Sequence, residues 1–200
     1  TDIFGILLSQ GSTALSNSRL FARTKELAIR DGLTGLYNHR HFFQLLEAEI
    51  EEAEREEHHI AVIMVDLDRQ QGLKAINDSL GHLAGDELLR QVGQFLVREV
   101  RHEDVVARYG GDEFVILARD SGREEALALA HRICHRLSET TFDIQGVGAH
   151  VTASIGVGVF EPGMADDVNG VVSRSDRGLY MAKERGGDQV CLVDVGTDPT

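Results

Sequence analysis

The stretch Arg108-Tyr109-Gly110-Gly111-Asp112-Glu113-Phe114 lies between two apolar runs, residues 105–107 before it and residues 114–118 after it. Both runs fit buried strands, and the two glycines and two acids between them are typical of a β-hairpin turn. Glycine allows positive φ at such a turn and lets a large ligand approach the backbone closely. The stretch therefore predicts two antiparallel strands whose turn presents the carboxylates of Asp112 and Glu113.

Adjacent carboxylates at a bare turn repel one another unless a positive charge lies beside them. Oxygen ligands of this kind suit Mg²⁺ or Mn²⁺, so the acids at positions 112 and 113 indicate a divalent cation site. A plain Gly-Gly hairpin with solvated acids is an alternative that the turn alone leaves open.

A second run of apolar residues, 60–65, is too short to span a membrane and is typical of a strand buried on both faces. It ends in Asp66-Leu67-Asp68, and the carboxyl end of a central strand is where open α/β sheets bind ligands. If this strand pairs beside the hairpin, Asp66 comes near Asp112 and Glu113. Three carboxylates would then hold one or two Mg²⁺ ions and, through them, a nucleoside triphosphate. Asp66 taken alone favours the simpler interpretation as an end signal of a strand, and its combination with the Gly-Gly-Asp-Glu turn is what indicates a metal site.

Residues 108–114 resemble the signature of the GGDEF family, the diguanylate cyclases, and further family motifs are matched in order along the chain. The matching segments are 31–38, 66–68, 74–78, 81–86, 154–158 and 179–183, and together they extend from about Asp31 to Val193. The resemblance implies an α/β fold, with a ferredoxin-like (palm-type) mixed sheet of about five strands and helices packed on it.

The resemblance also implies roles for single residues. The expected metal ligands are Asp66, the Leu67 carbonyl, Asp112 and Glu113; the expected catalytic residues are Asp112, Glu113 and Lys74; and the expected substrate contacts are Asn77, Asp86, Gly110, Gly111 and Lys183. Lys74 would offset charge that builds up in the transition state, and a solvated lysine is the alternative.

Asn77 and Asp86 match the guanine-reading positions of the family. The Watson–Crick edge of guanine offers N1–H and N2–H₂ as donors and O6 as an acceptor, so an Asp and an Asn can pair with it and reject adenine. Capping of neighbouring helices is the alternative role, because both residue types are common caps.

Arg101 and Asp104 form an Arg-x-x-Asp pattern just ahead of the hairpin. It resembles the inhibitory site at which cyclic di-GMP slows its own synthesis, and Arg132 falls where the family often supplies a second arginine. An arginine there would pair with phosphate and stack on guanine. A local salt bridge is the alternative.

Two departures from the family pattern concern the phosphates of the substrate. The segment after Asp68 is about three residues longer than usual, and Gly187 replaces the arginine of the usual Gly-Arg-Asn triplet. Loss of a charge-assisted contact costs on the order of 1.5–3 kcal/mol, so we expect weaker GTP binding. Arg185 or Arg69 could compensate, and the sequence does not decide between them.

The chain has 200 residues, of which 42% are hydrophobic and 26% charged, as expected for one domain with a short extension. A net charge of −13 argues against nucleic-acid binding through a basic face. Cys134 and Cys191 lack metal-ligand spacing and are expected to be reduced core thiols of a cytoplasmic protein. No apolar run is long enough for a membrane helix, so we expect no membrane contact from this chain.

Residues 1–30 are predicted to form a linker or signalling helix, and residues 31–195 the GGDEF catalytic domain. Leu8, Leu15, Ala22 and Ile29 recur every seven residues, which suits a coiled coil, although an ordinary amphipathic helix fits as well. Residues 14–20 are similar to the closing helix of a GAF sensory domain.

The function expected from the resemblance is that of a diguanylate cyclase. A homodimer would condense two GTP into cyclic di-GMP with release of pyrophosphate, under product inhibition. A catalytically weak domain that binds GTP or cyclic di-GMP as a signalling receptor is the alternative. A metal-dependent phosphohydrolase shares the carboxylates but would not need Asn77, Asp86 or Arg101.

Overall fold

The computed structural model describes residues 29–69, 72–164 and 166–194, so nearly all of the predicted N-terminal helix lies outside the described residues. The elements in chain order are β1 (Tyr37–Asn38), α1 (His39–Glu56), β2 (Ile60–Leu67), α2 (Leu73–Leu80), α3 (His82–Glu99), β3 (Val105–Gly110), β4 (Glu113–Ala118), α4 (Arg123–Glu139), β5 (Phe142–Ile144), β6 (Val147–Ala149), β7 (Ala153–Phe160), α5 (Val168–Glu184) and β8 (Val190–Leu192).

The main sheet has six strands in the order β1-β3-β4-β2-β7-β8. Its four central strands are antiparallel, and with α3 and α4 they form the βαββαβ arrangement of a ferredoxin-like fold. β1 and β8 add to the two edges in parallel. The predicted α/β fold with a mixed ferredoxin-like sheet is confirmed, and the two-residue β1 brings the count to six rather than about five.

A separate hairpin of β5 and β6 was not predicted. Gln145 and Gly146, the two residues between these strands, have φ values of 57° and 84°. A two-residue hairpin turn of this type needs positive φ at both central positions. A glutamine at the first of them is not a typical turn residue, so the sequence does not indicate the hairpin.

Strand β2 is buried on both faces, as its continuous apolar sequence predicts. Ala61, Ile63 and Val65 face a core formed with α3 and α4. Ile60, Val62 and Met64 face a second core formed with α1 and α5. Because side chains alternate along a strand, one strand supplies the centre of both cores, and its end is held from both sides.

Helix α5 packs against β7 through glycines. A β-carbon at Gly156 would overlap the carbonyl oxygen of Ser175, and one at Gly158 would overlap that of Val171. The close backbone packing expected from these two glycines is confirmed. It fixes the height of α5 above the sheet, and with it the position of Lys183 in the last turn of the helix.

Cys134 and Cys191 are both free and buried, as predicted. Within the part of the chain that the structure describes, no helix has the length and apolar character needed to cross a bilayer.

We expect Gly156→Ala to destabilise the domain, because its new methyl group can be accommodated only by lifting α5 off the sheet. Overpacking of this kind costs about 1–3 kcal/mol or more in the free energy of unfolding, measurable by urea denaturation. Gly32→Ala is the matched control, since no atom lies within 4 Å of a β-carbon at that position. Equal stability of the two variants would contradict the described packing of α5.

Candidate active site

The antiparallel pairing of β2 with β4 places Asp66 directly opposite Glu113. The next residue, Leu67, donates its N–H to the carbonyl oxygen of Asp112 over 3.4 Å. The condition set by the sequence, that the apolar strand pairs beside the hairpin, is therefore met. Directly opposed residues bring their β-carbons to about 4.5–5.5 Å of each other, so this register brings the carboxylates of Asp66 and Glu113 to one end of the sheet.

The carboxyl groups of Asp66 and Glu113 at this end of the sheet have too few cations nearby to neutralise them. Burial raises the pKa of Asp66, which is only 7% exposed; a hydrogen bond from Lys183 opposes the rise, and the charge of Asp112 adds to it. Burial and the adjacent Asp66 also raise the pKa of Glu113. The nearest cation is Lys183, whose Nζ donates to Oδ2 of Asp66 over 2.7 Å. A further cation here would stabilise the ionised form of both acids.

These residues fit a magnesium ion. The two opposed carboxyl groups have raised pKa values and share Lys183 as their nearby cation, so they are oxygen ligands with less than one positive charge each. Among the described residues, no three Asp, Glu, His or Cys side chains converge into a ready-made ligand cluster. Mg²⁺ does not require one, because it is usually held by one or two carboxylates while water and substrate phosphates complete its shell. Asp66 and Glu113 would supply the carboxylates, with Leu67 and Asp112 beside them.

The hairpin turn is pinned from outside by Arg108. Its guanidinium donates to the carbonyl oxygen of Gly111 over 2.7 and 3.0 Å and contacts the carboxylate of Asp31 at 3.2 Å. Burial works against the charge of Asp31, but hydrogen bonds from Thr34 and the charge of Arg108 hold its pKa below the usual value. Gly111 has a φ of 46°, which favours glycine. The sequence analysis assigned no role to Arg108 or Asp31.

A cavity of about 940 Å³ opens at the carboxyl end of β2. This volume lies in the range of small-molecule sites. Five of the predicted site residues line it, namely Asp66, Lys74, Asn77, Asp112 and Lys183. Arg69 and Gly187, which the sequence linked to the substrate phosphates, also line the cavity, as do Asp68, Asp78, His82, Thr152 and Asp188, which were not predicted as site residues.

Asp86 does not line the cavity but lies close to a residue that does. A β-carbon at Gly85, its neighbour in α3, would overlap Oδ1 of Asn77, so the Asn77 side chain lies against the first turn of α3. That oxygen is buried and has no hydrogen-bond partner among the described residues. The two predicted guanine-reading residues therefore lie at the junction of α2 and α3. Glu113, Gly110 and Gly111 also lie outside the cavity lining, at the hairpin.

Asp68 is the residue whose role the sequence analysis missed most clearly. Its carboxylate accepts hydrogen bonds from Thr152 Oγ1 at 2.7 Å, Ser154 Oγ at 2.6 Å and the backbone N–H of Asp188 at 2.9 Å. The side chain thus joins the ends of β2 and β7 to the loop before β8. The sequence held one signal, two hydroxyl residues at positions 152 and 154, which face the same side of an extended chain.

The predicted inhibitory residues lie apart from the cavity, near the end of α3 and the start of β3. Asp104 accepts hydrogen bonds from the backbone N–H groups of Arg101 at 2.8 Å and of Arg119 at 3.1 Å. Arg101 itself is exposed. Arg132 donates to the carbonyl oxygen of Glu99 over 2.8 Å. The structure therefore brings Arg132 near the segment that carries the other two residues.

The sequence and the fold were compared with those of known proteins, and the similar proteins belong to a family that carries this motif. The family profile described as "Diguanylate cyclase, GGDEF domain" matches residues 28–189. The chain is 34% identical over 181 residues to the bifunctional diguanylate cyclase/cyclic di-GMP phosphodiesterase MucR of Pseudomonas aeruginosa, covering 90% of this chain and 26% of MucR. It is 33% identical over 186 residues to the cyclic di-GMP phosphodiesterase PdeR of Escherichia coli, covering 93% of this chain and 27% of PdeR. The chain thus spans about a quarter of the length of these two relatives.

Among solved structures, the GGDEF domain of DgcB from Caulobacter crescentus, in complex with c-di-GMP, superposes with a TM-score of 0.75. The two share 28% sequence identity, and the match covers 82% of this chain and 92% of the DgcB domain. The fold, the acidic strand end beside a Gly-Gly-Asp-Glu hairpin, and a profile match over most of the sequence all agree. The chain belongs to the GGDEF family of diguanylate cyclase domains.

Proposed function

We propose that this domain condenses two GTP molecules into cyclic di-GMP and releases two pyrophosphates. The observation that carries the proposal is the pairing of Glu113 with Asp66, which lines a cavity together with Lys74, Asn77 and Lys183. One site thereby combines carboxylates that can hold a metal cation, lysines that can bind phosphates and an amide that can pair with a nucleobase.

In the proposed reaction, the 3′-oxygen of one GTP forms a bond to the α-phosphorus of the other, and the bond from that phosphorus to the leaving pyrophosphate breaks. Mg²⁺ or Mn²⁺, held by Asp66, Glu113 and the Leu67 carbonyl, would polarise the phosphoryl oxygens. Asp112 lines the cavity next to these ligands and is placed to bind the cation or to accept the proton of the 3′-hydroxyl. Lys74 and Lys183 would offset the charge on the transferring phosphate and on the leaving group.

Guanine is assigned to the junction of α2 and α3. The Oδ1 atom of Asn77 lacks a hydrogen-bond partner in the described part of the chain, and a buried acceptor left unpaired is costly. A small rotation of the amide would let it accept from the N–H groups of guanine, with Asp86 accepting from the same edge. Adenine offers a different edge, so these residues would favour GTP over ATP.

A homodimer follows from the stoichiometry of this reaction. One domain would bind one GTP, and the ring of cyclic di-GMP closes only when two bound nucleotides face each other. The N-terminal segment 1–30, predicted as a signalling helix, is the proposed means of bringing two domains together and raising their effective concentration. A cytoplasmic location, where GTP is present, remains our prediction.

A catalytically weak receptor for GTP or cyclic di-GMP is the second candidate. Gly187 offers no side chain to the phosphates, and one relative of similar identity, PdeR, is named as a phosphodiesterase. The carboxylate pair and the cavity cations favour the cyclase, because a receptor has no need to place Asp112 beside paired metal ligands.

The purified chain with GTP and Mg²⁺ is expected to yield cyclic di-GMP, identified by chromatography against standards. Glu113→Gln keeps the shape of the side chain but removes a proposed metal ligand, so we expect synthesis to fall by about 100-fold or more. Glu51→Gln, an exposed position on α1, is the matched control and should leave the rate unchanged. Bound but unreacted GTP in the wild type would favour the receptor, and GDP or GMP as product would favour a hydrolase.

We also propose product inhibition at Arg101, Asp104 and Arg132, supported by the complex of the DgcB GGDEF domain with c-di-GMP. Arg101→Ala is a better test than a substitution of Asp104, because the carboxylate of Asp104 also accepts hydrogen bonds from two backbone N–H groups and its loss would disturb the local structure. We expect this variant to raise the inhibitory concentration of cyclic di-GMP about tenfold or more through loss of a charge-assisted phosphate contact. Arg90→Ala, which removes a half-buried arginine of α3 paired with Glu87, should not change it. An unaltered inhibition curve for Arg101→Ala would remove this site.

A further inference from the structure

We propose that Arg69 binds the β- or γ-phosphate of the substrate and makes the site selective for a triphosphate. The inference rests on the proposed function to the extent that the ligand is a guanosine nucleotide. It concerns a residue outside the motifs that carry the family resemblance.

The wall of the cavity formed by residues 186–188 cannot itself supply a cation. Gly187 has a φ of 79°, and a β-carbon there would lie 2.8–3.1 Å from the carboxylate atoms of Asp68. Asp68 cannot easily move away, because three donors hold its carboxylate. A side chain at position 187 would therefore be strained by its backbone and crowded by a fixed neighbour.

Arg69 lies next to that fixed neighbour and lines the same cavity as Gly187 and Lys183. Gly72 lies close to Asp68, since a β-carbon at Gly72 would overlap the carbonyl oxygen of Asp68. Arg69 directly follows Asp68 in the chain and is exposed. Arg69 thus supplies a cation to the cavity in which a side chain at position 187 is excluded.

The charges around the cavity show why such a cation matters. The lining acids are Asp66, Asp68, Asp78, Asp112 and Asp188, and the lining cations of fixed charge are Arg69, Lys74 and Lys183. Lys183 is already paired with Asp66 at 2.7 Å. A triphosphate entering this acidic site needs local cations to offset repulsion, and an arginine can pair with a phosphate through two parallel hydrogen bonds.

Arg185 is the other arginine that the sequence left open as a compensating residue. Its Nη1 lies 3.5 Å from Sγ of Cys191, at the end of α5. It is absent from the cavity lining, whereas Arg69 belongs to it. The geometry therefore favours Arg69, and Arg185 becomes a matched control.

The test measures the affinity of Arg69→Gln for 3′-deoxy-GTP and for GMP by calorimetry in Mg²⁺. The first ligand carries the triphosphate but lacks the attacking hydroxyl, so it binds without turnover. We expect Arg69→Gln to bind 3′-deoxy-GTP about tenfold more weakly and GMP within about twofold of the wild type. Arg69→Lys should fall between Arg69→Gln and the wild type, and Arg185→Gln should match the wild type for both ligands.

Unchanged affinity of Arg69→Gln for 3′-deoxy-GTP would overturn the inference, and so would an equal loss for both ligands, which would indicate a structural role. This binding test and the test of cyclic di-GMP synthesis can succeed or fail independently of each other. A wild type that binds the triphosphate in this Arg69-dependent way but makes no cyclic di-GMP would leave the inference standing and refute the cyclase. Cyclic di-GMP synthesis together with unchanged triphosphate binding by Arg69→Gln would refute the inference alone.

Discussion

The site depends on the register between β2 and β4. Six pairs of residues fix that register, from Ala61 opposite Ala118 to Asp66 opposite Glu113. Because the side-chain period of a strand is two, a slip by one residue would turn Asp66 to the other face and bring apolar side chains to the cavity. Burial of β2 on both faces makes such a slip costly. The same apolar contacts that stabilise the fold therefore hold two carboxyl groups where they repel each other.

A second constraint acts from the opposite face of the sheet. Gly156 and Gly158 let α5 approach β7 until their backbones touch, and Lys183 in the last turn of α5 then reaches Asp66. Larger residues at these two positions would move the lysine outward together with its helix. Packing that looks purely structural in the sequence thus sets the distance between the cation and the acid.

The parts that the sequence predicted depend on local patterns. The hairpin at Gly110 and Gly111 and the buried strand before Asp66 could be inferred, because apolar runs and turn residues act over short distances. The pairing of that strand beside the hairpin joins distant segments and entered only as a condition, which the structure meets. The grouping of Asp68 with Thr152, Ser154 and Asp188 could not be inferred. It joins residues more than eighty positions apart, and the choice among possible partners for a carboxylate is made only when the chain folds. The choice between Arg69 and Arg185 depended on tertiary position in the same way.

The charges of the site also bear on how a cation and a nucleotide would bind there. Lys183 is the counter-ion of Asp66, and burial together with the charge of Asp66 raises the pKa of the neighbouring Glu113. In the proposed function, Lys183 turns toward the substrate phosphates, and Asp66 then needs another positive partner. A divalent cation that arrives with the triphosphate meets this need, so nucleotide and cation are expected to bind together more tightly than either alone. The ion pair of Lys183 with Asp66 lowers the cost of burying an acid, and in the proposed function the substrate and its cation would replace it.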